Sequence, residues 1–131
     1  MLIASGGVQH WNGSFDGTVP VPNGGIYDLE GPDRAHLWAL GAGGLFHFEN
    51  GSFVLAAAPA SNERFLNLVV VGDAVWVVAS LDEVTTPRTV IVHRDAAGAV
   101  DREVLPADGS KLFVVGDTLW LVGAYLATRP L

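Results

Sequence analysis

The chain has no cysteine and only one lysine and one methionine among its 131 residues. The lack of cysteine excludes disulfides, thiolate nucleophiles and cysteine-ligated zinc. Long hydrophobic runs are also missing, because the longest apolar stretches, 68–71 and 75–79, are far too short to cross a bilayer. No basic and apolar leader precedes Gly6. We therefore expect a cytoplasmic protein with no membrane partner.

Positive charge is scarce, with seven basic residues against fourteen acidic ones and a net charge of −7. Nucleic acids and anionic membrane surfaces select basic patches, so the charge excludes both as expected partners. Solubility is a sufficient explanation of the acidity. The single lysine beside six arginines, with abundant alanine, glycine and valine, indicates a GC-rich bacterial genome.

Turn-forming residues and apolar residues are what the chain does contain. It has sixteen glycines and seven prolines, and half of its residues are hydrophobic. Frequent turns between apolar segments favour short strands over long helices, and the apolar content is sufficient for a packed core. The composition therefore predicts an all-β protein.

An internal repeat organises the strands. Residues 68–78 read LVVVGDAVWVV and align without a gap to residues 112–122, which read LFVVGDTLWLV. The central Gly-Asp predicts a tight hairpin, because glycine readily takes the positive φ that such turns require. Each copy is therefore predicted to form two antiparallel strands, with 26–29 as a looser copy of the first and Leu2-Ile3 as a degenerate copy of the second.

A second repeated segment extends the unit to four strands. Residues 6–15 align to residues 43–53 with one insertion, and an Asn-Gly turn ends the predicted third strand in both. The third strands are expected to end near His10, His47 and His93. The fourth strands are expected at 53–57 and 100–105.

A tryptophan recurs in the second strand of three units, at Trp38, Trp76 and Trp120, with spacings of 38 and 44 residues. Four short strands with a period near forty are typical of β-propeller blades. The nearly continuous apolar first and second strands fit blades that are covered on both faces. A β-sandwich is the alternative, although it would not require a tryptophan at the same place in every unit.

The second unit carries a motif that resembles a known family. Residues 26–51, with Leu37-Trp38-Ala39-Leu40-Gly41 followed by Gly43-Gly44 and His47, resemble the repeats of two-component-regulator propellers and the Trp-Ala-Val-Gly…Gly-Gly…His-Trp-x-Gly repeats of myxobacterial-type propellers. Phe48 replaces the second tryptophan of that motif, and the third unit has the loop 80–89 in place of the Gly-Gly turn. The resemblance implies a propeller fold and leaves the function open, since many functions use this fold.

The whole chain is predicted to be a single partial propeller domain of about three blades, with units at about 1–25, 26–60, 61–107 and an incomplete unit at 108–131. Closed propellers usually have at least four blades. An open arc exposes apolar faces and strand edges that drive association. We therefore expect the chain to be its own partner in a closed homodimer of about six blades, with terminal strands completing the partner's sheets. The alternative is that the sequence is a fragment of a longer product.

No residue set predicts a reaction, so we expect a protein that is not an enzyme and has no cofactor or metal. The three repeated histidines lie at equivalent positions of different blades and are too far apart for one ion, so packing against Trp11 or Phe48 explains them better. His36 is expected to be exposed in a turn. The serines lie in turns outside any nucleophile motif, and no carboxylate pair is set across a predicted pocket.

We expect a non-enzymatic interaction or ligand-binding module acting as a homo-oligomeric scaffold for an unknown protein or small-molecule ligand. The alternative is a carbohydrate-binding propeller in which Trp11 stacks on sugars. The loops 20–25, 59–64, 80–89 and 107–111 are expected to gather on one face, and the polar ones that depart from the repeat are the best candidates for binding. The predicted ligand-binding residues are Asn62, Glu63, Arg64, Asp82, Glu83 and Arg88.

Overall fold

The computed structural model describes residues 2–4, 7–11, 13–21, 25–82, 88–105, 108–123 and 126–131, with the side chains of 2–4, 7, 10, 11, 15 and 16 outside this description. The described residues form antiparallel strands and one short 3-10 turn, Arg34–His36. None of their helical segments has the length and hydropathy of a membrane-spanning helix. Contacts divide the chain into two compact units, residues 1–58 and 59–131.

The first unit contains two sheets. Sheet A has the strand order β1-β2-β3 and sheet B the order β4-β5-β6-β7, so each sheet is a simple antiparallel meander. The strands of sheet A are β1 (Leu2–Ala4), β2 (Gly7–Trp11) and β3 (Phe15–Val19); those of sheet B are β4 (Ile26–Glu30), β5 (Trp38–Gly41), β6 (Gly44–Glu49) and β7 (Ser52–Ala57).

The second unit repeats this arrangement. Sheet C has the order β11-β10-β9-β8 and sheet D the order β12-β13-β14. The strands of sheet C are β8 (Glu63–Val71), β9 (Ala74–Leu81), β10 (Arg88–Arg94) and β11 (Val100–Leu105); those of sheet D are β12 (Lys111–Val115), β13 (Thr118–Val122) and β14 (Leu126–Pro130). The predicted all-β class with four-stranded antiparallel sheets is confirmed.

The Gly-Asp hairpins have the predicted geometry. Gly72 and Gly116 have φ angles of 58° and 61°, while the aspartates that follow them keep negative φ. A positive φ at the first central residue alone is typical of a type II′ turn, whose twist matches that of the flanking strands. The hairpin register follows, with Val71 opposite Ala74 and Val115 opposite Thr118.

Sheets C and D each have an apolar residue set on both faces. The strand register shows which residues belong to which face. In sheet C, Leu68 lies opposite Val77, whereas Val69 lies opposite Trp76. Residues directly opposite each other share a face and successive residues alternate, so the sheet has a face with Leu68 and Val77 and another with Trp76. We call the first the leucine face and the second the tryptophan face. Sheet D has the same arrangement, with Leu112 opposite Leu121 and Phe113 opposite Trp120.

Sheets C and D pack with unlike faces together. The tryptophan face of sheet C and the leucine face of sheet D form one apolar cluster, whose buried members are Trp76, Val78, Ile91, Leu112, Leu119 and Leu121. Successive residues of a strand in sheet C point to opposite faces, and both faces carry large apolar residues. The strand can therefore bury side chains on both sides.

The packing within the first unit follows the same rule. Leu37, Ala39 and Phe46, on the leucine face of sheet B, form a buried cluster with Val8 of sheet A. Val8 is the repeat equivalent of Ile91, because His10 and His93 align two residues further on. One sheet therefore contributes its tryptophan-type face and the next contributes its leucine face in both units.

The register corrects one detail of the repeat alignment. Ile3 lies opposite Val8, and Leu40 lies opposite Leu45, the repeat equivalent of Val8. Leu2-Ile3 therefore corresponds to Ala39-Leu40 and not to Leu37-Trp38. Sheet A has no described counterpart of the repeated tryptophan.

Two side-chain to backbone hydrogen bonds join sheet C to the segment that enters sheet D. The Leu112 backbone N–H donates to the side-chain amide oxygen of Asn67 at 2.9 Å. Thr89 Oγ1 accepts from the Gly109 N–H at 2.9 Å and its hydroxyl lies 3.4 Å from the Gly109 carbonyl oxygen. Both bonds satisfy polar groups in buried or half-buried surroundings, where leaving them unpaired would be costly.

Candidate functional site

A cavity of about 250 Å³ lies between sheets C and D, within the second unit. Its sheet C wall comes from β10 and β11, and its sheet D wall comes from all three strands of that sheet. The two sheets are joined by the Asn67–Leu112 bond between β8 and β12. Most of the lining residues are aliphatic, and Glu103 and Arg129 contribute charged side chains. The complete lining is Ile91, Glu103, Leu105, Leu112, Leu119, Leu121, Ala127, Thr128 and Arg129.

An ion pair forms the polar part of this cavity. Arg129 Nη1 of β14 donates to Glu103 Oε2 of β11, so the pair bridges the two sheets. Both side chains are 51% exposed. The Arg129 guanidinium also lies 5.5 Å from the centre of the Trp76 ring, where a cation is attracted by the ring face. The arginine is therefore held at the opening of the cavity while part of its charge faces solvent.

Histidine and tryptophan stack across adjacent strands in both full units. The rings of Trp76 and His93 are 3.9 Å apart with an interplanar angle of 17°, and those of Trp38 and His47 are 4.2 Å apart at 31°. His47 and His93 therefore pack structurally as expected, but the partner is the tryptophan of the same sheet. Phe48, the other predicted partner, contacts Phe53 edge-on at 5.2 Å. The side chains of His10 and Trp11 lie outside the description.

The stacked histidines use their ring nitrogens for local hydrogen bonds. His47 has Nδ1 2.9 Å from Glu49 Oε1 and Nε2 3.0 Å from the Ala35 carbonyl oxygen. His93 Nδ1 lies 3.5 Å from Asp101 Oδ2. No group of three or more potential metal-ligating side chains occurs in the described part of the chain. These contacts give the two rings a structural role within sheets B and C.

His36 lies in the 3-10 turn and is half-buried, which differs from the expected exposure. Its ring Nδ1 lies 2.8 Å from Asp33 Oδ1, and the same oxygen accepts the His36 backbone N–H at 3.0 Å. The hydrogen bond with the His36 side chain is the main cause that holds the pKa of Asp33 below its ordinary value. This arrangement caps a short turn.

The sequence-predicted binding residues lie around one end of sheet C. Glu63 and Arg88 both flank Leu81 in the strand register, one from β8 and the other from β10. Asn62 has a φ of 65° and its carbonyl accepts the Asp82 N–H at 2.7 Å, which brings these two exposed residues together.

Arg64 and Arg88 are exposed strand residues at the same end. Glu83 falls outside the described residues. Binding by this set stays a prediction.

Glu63 differs from the rest of this set because its carboxylate is already engaged. The side chain is only 2% exposed and accepts from Nε and Nη2 of Arg102 at 3.2–3.3 Å. It also accepts the Ala60 N–H at 3.0 Å. Glu63 therefore stabilises the turn that enters β8, and ligand binding there would have to replace these partners.

The tryptophan face of sheet D is largely apolar and exposed, with Lys111 Nζ 5.2 Å from the centre of the Phe113 ring. Val115 and Leu126 are 65% and 62% exposed, Phe113 is 43% exposed, and Val122 adjoins them. Trp120 is half-buried at the centre of this face. The equivalent positions of sheet C are Val69, Val71, Trp76 and Val78, which pack against sheet D. A surface that is core in one sheet is thus exposed in the next.

The comparisons with protein-family models, with curated proteins and with solved structures find no match for this chain.

The cavity and the exposed face were not identified from sequence as sites. Glu103 and Arg129 are separated by 25 intervening residues and belong to no motif, so only the packing of two sheets reveals the pair.

Proposed function

We propose that this chain is a non-enzymatic interaction module whose copies assemble into a closed β-propeller ring. The repeated four-stranded meanders with apolar residues on both faces support blades stacked side by side. The unlike-face packing of sheets A and B, and again of sheets C and D, supports one repeated mode of stacking. The ring is a homo-oligomeric scaffold, and a dimer is its simplest closed form.

The exposed tryptophan face of sheet D is the observation that carries this proposal. Contiguous apolar patches of this kind are uncommon on monomers and typically mark interaction sites. Its positions Phe113, Val115, Trp120 and Val122 are repeat equivalents of the sheet C residues that pack on a leucine face. The matching occupant is therefore another sheet of the same repeat.

A second copy of the chain can supply that sheet. Within the first unit, sheet A uses the face that bears Val8 to pack against sheet B. Its opposite face carries Gln9 and Thr18, which lie opposite each other and are joined by a 3.3 Å hydrogen bond between their side chains. Packing sheet D of each copy on this face of sheet A of the other would give two identical contacts in a closed ring of eight sheets, in place of the roughly six blades expected from the sequence.

Light scattering after size-exclusion chromatography tests the assembly. We expect a mass of twice the 13.8 kDa of one chain. Phe113→Glu places a charge on the apolar side of this contact, and each burial of a large apolar side chain contributes about 1.5–3 kcal/mol. Because the dimer has two such contacts, we expect the dimer to weaken by at least about a hundredfold.

Val104→Glu is the matched control. Val104 is another exposed valine of the second unit, on β11, and it lies outside the exposed face of sheet D. The control should keep the dimer mass. A well-folded monomer of the unaltered chain, or a dimer unaffected by Phe113→Glu, would overturn the proposal.

The polar loop end of sheet C is the proposed ligand- or partner-facing side of the ring. Asn62 and Asp82 are exposed there and joined through the backbone, which supports a firm loop surface. Carbohydrate binding through Trp11 stays the alternative function, and the Trp11 side chain lies outside the described residues.

A further inference from the structure

We propose that the cavity between sheets C and D binds a small apolar α-amino acid as a zwitterion, with its side chain among the leucines and its two charges on Glu103 and Arg129. This inference is independent of ring closure, since every lining residue belongs to the second unit of one chain.

The volume limits the size of the ligand. A cavity of 150 Å³ lined by aliphatic residues holds benzene, which corresponds to roughly 25 Å³ per non-hydrogen atom. By the same ratio, the 250 Å³ found here accommodates a ligand of about ten non-hydrogen atoms. Leucine, isoleucine and valine fall within this limit.

The walls determine which part of the ligand enters. Leu119, Leu121 and Leu105 face the cavity together with Ile91 and Ala127. Water gains few hydrogen bonds from such walls, so an aliphatic group displaces it favourably. Glu103 and Arg129 supply the charged side chains of the lining and contact the polar end of the ligand.

The ion pair favours a ligand with both charges. The contact found between Arg129 and Glu103 is a single hydrogen bond from Nη1 to Oε2. A guanidinium has five N–H donors, and a carboxylate has two acceptor oxygens, so both groups keep capacity for a further partner. A ligand with one charge would meet a like charge at once, because the two groups touch. A zwitterion offers its carboxylate to Arg129 and its ammonium to Glu103.

The contacts behind Arg129 support a binding geometry that is already formed. The guanidinium lies over Trp76, and that ring is stacked on His93 from the neighbouring strand. A half-exposed ion pair contributes little by itself to stability, so exchanging it for ligand contacts costs little. The arginine stays positioned while its partner changes.

Titration of the ¹⁵N- and methyl-labelled chain with leucine tests the proposal by NMR. We expect saturable shifts of the Ile91, Leu119 and Leu121 methyl signals. Two analogues separate the charges: 4-methylpentanoate lacks the ammonium and 3-methylbutylamine lacks the carboxylate. Each should bind at least tenfold more weakly than leucine. Equal binding of either analogue would overturn the zwitterion assignment.

Three variants locate the site. Ala127→Leu fills the cavity and should abolish the shifts, and Arg129→Gln should weaken leucine binding at least tenfold. Arg64→Gln alters an exposed arginine of β8 that does not line the cavity and should leave binding unchanged. Absence of saturable shifts up to about 10 mM leucine, ten times a millimolar Kd, would refute the proposal. So would loss of binding in Arg64→Gln alone.

Discussion

Thr89 joins sheet C to the segment that leads into sheet D, and removing its hydroxyl tests how much that junction contributes to stability. The side chain is 1% exposed and is the buried polar residue of the described core. Its Oγ1 accepts the Gly109 N–H at 2.9 Å, and Gly109 is itself buried. Thr89→Val keeps the shape of the side chain and removes this acceptor.

The expected cost follows from the donor that is left behind. A buried N–H without a partner costs about 1–3 kcal/mol, and the near-equal volume of valine leaves no new cavity. For a chain of this length such a loss lowers the melting temperature by about 3–12 °C. The midpoint of urea unfolding should fall by the same free energy with an unchanged slope.

The assay combines urea unfolding, followed by tryptophan fluorescence, with amide hydrogen exchange. The Gly109 N–H should exchange much faster in Thr89→Val, because its acceptor has gone. Thr128→Val, an exposed threonine of β14, is the matched control and should change stability by less than about 0.5 kcal/mol. An equal effect of the two variants, or unchanged protection of Gly109, would refute the reasoning.

Two more predictions concern the ionic contacts of single residues. Glu63→Gln removes the carboxylate that Arg102 contacts and should lower the free energy of unfolding in urea by about 1–2 kcal/mol. The loss is smaller than for a fully buried pair because Arg102 is 35% exposed. An unchanged midpoint of unfolding would contradict the assigned role. The lowered pKa of Asp33 means that its contribution is present above the ordinary value of 3.8 and is lost as the pH falls through the folded value. The His36 amide signal should therefore titrate in that acidic range, and Asp33→Asn should remove the titration; persistence of it in the variant would exclude Asp33 as the cause.

The strands could be predicted from sequence because their signals are local. The repeated Gly72 and Gly116 turns mark hairpins, and the apolar run 75–79 is buried throughout as expected for a strand covered on both faces. The degenerate first copy was misaligned by two residues. No tryptophan marks its register, so only the pairing of Ile3 with Val8 reveals the correct alignment.

The sites depended on contacts that a linear pattern does not encode. The stacking of His93 on Trp76 follows from the register of β9 and β10, and the six residues between these strands carry no turn motif that would reveal this register from sequence. Glu63 was selected as a polar loop residue, but the structure gives it Arg102 from a strand 39 positions away. Spacing could not distinguish this satisfied carboxylate from the exposed Asp82.

The unlike-face packing of sheets has a consequence for how such chains can evolve. In the second unit the tryptophan face of one sheet packs on the leucine face of the next, and in the first unit the equivalent face of sheet A packs on the leucine face of sheet B. An added sheet of the same repeat would therefore meet its neighbours through surfaces that already fit. Gene duplication or recombination can then lengthen or shorten the array by whole units without inventing an interface. Selection can alter the loops of one unit independently, since the stacking surfaces lie on the strands.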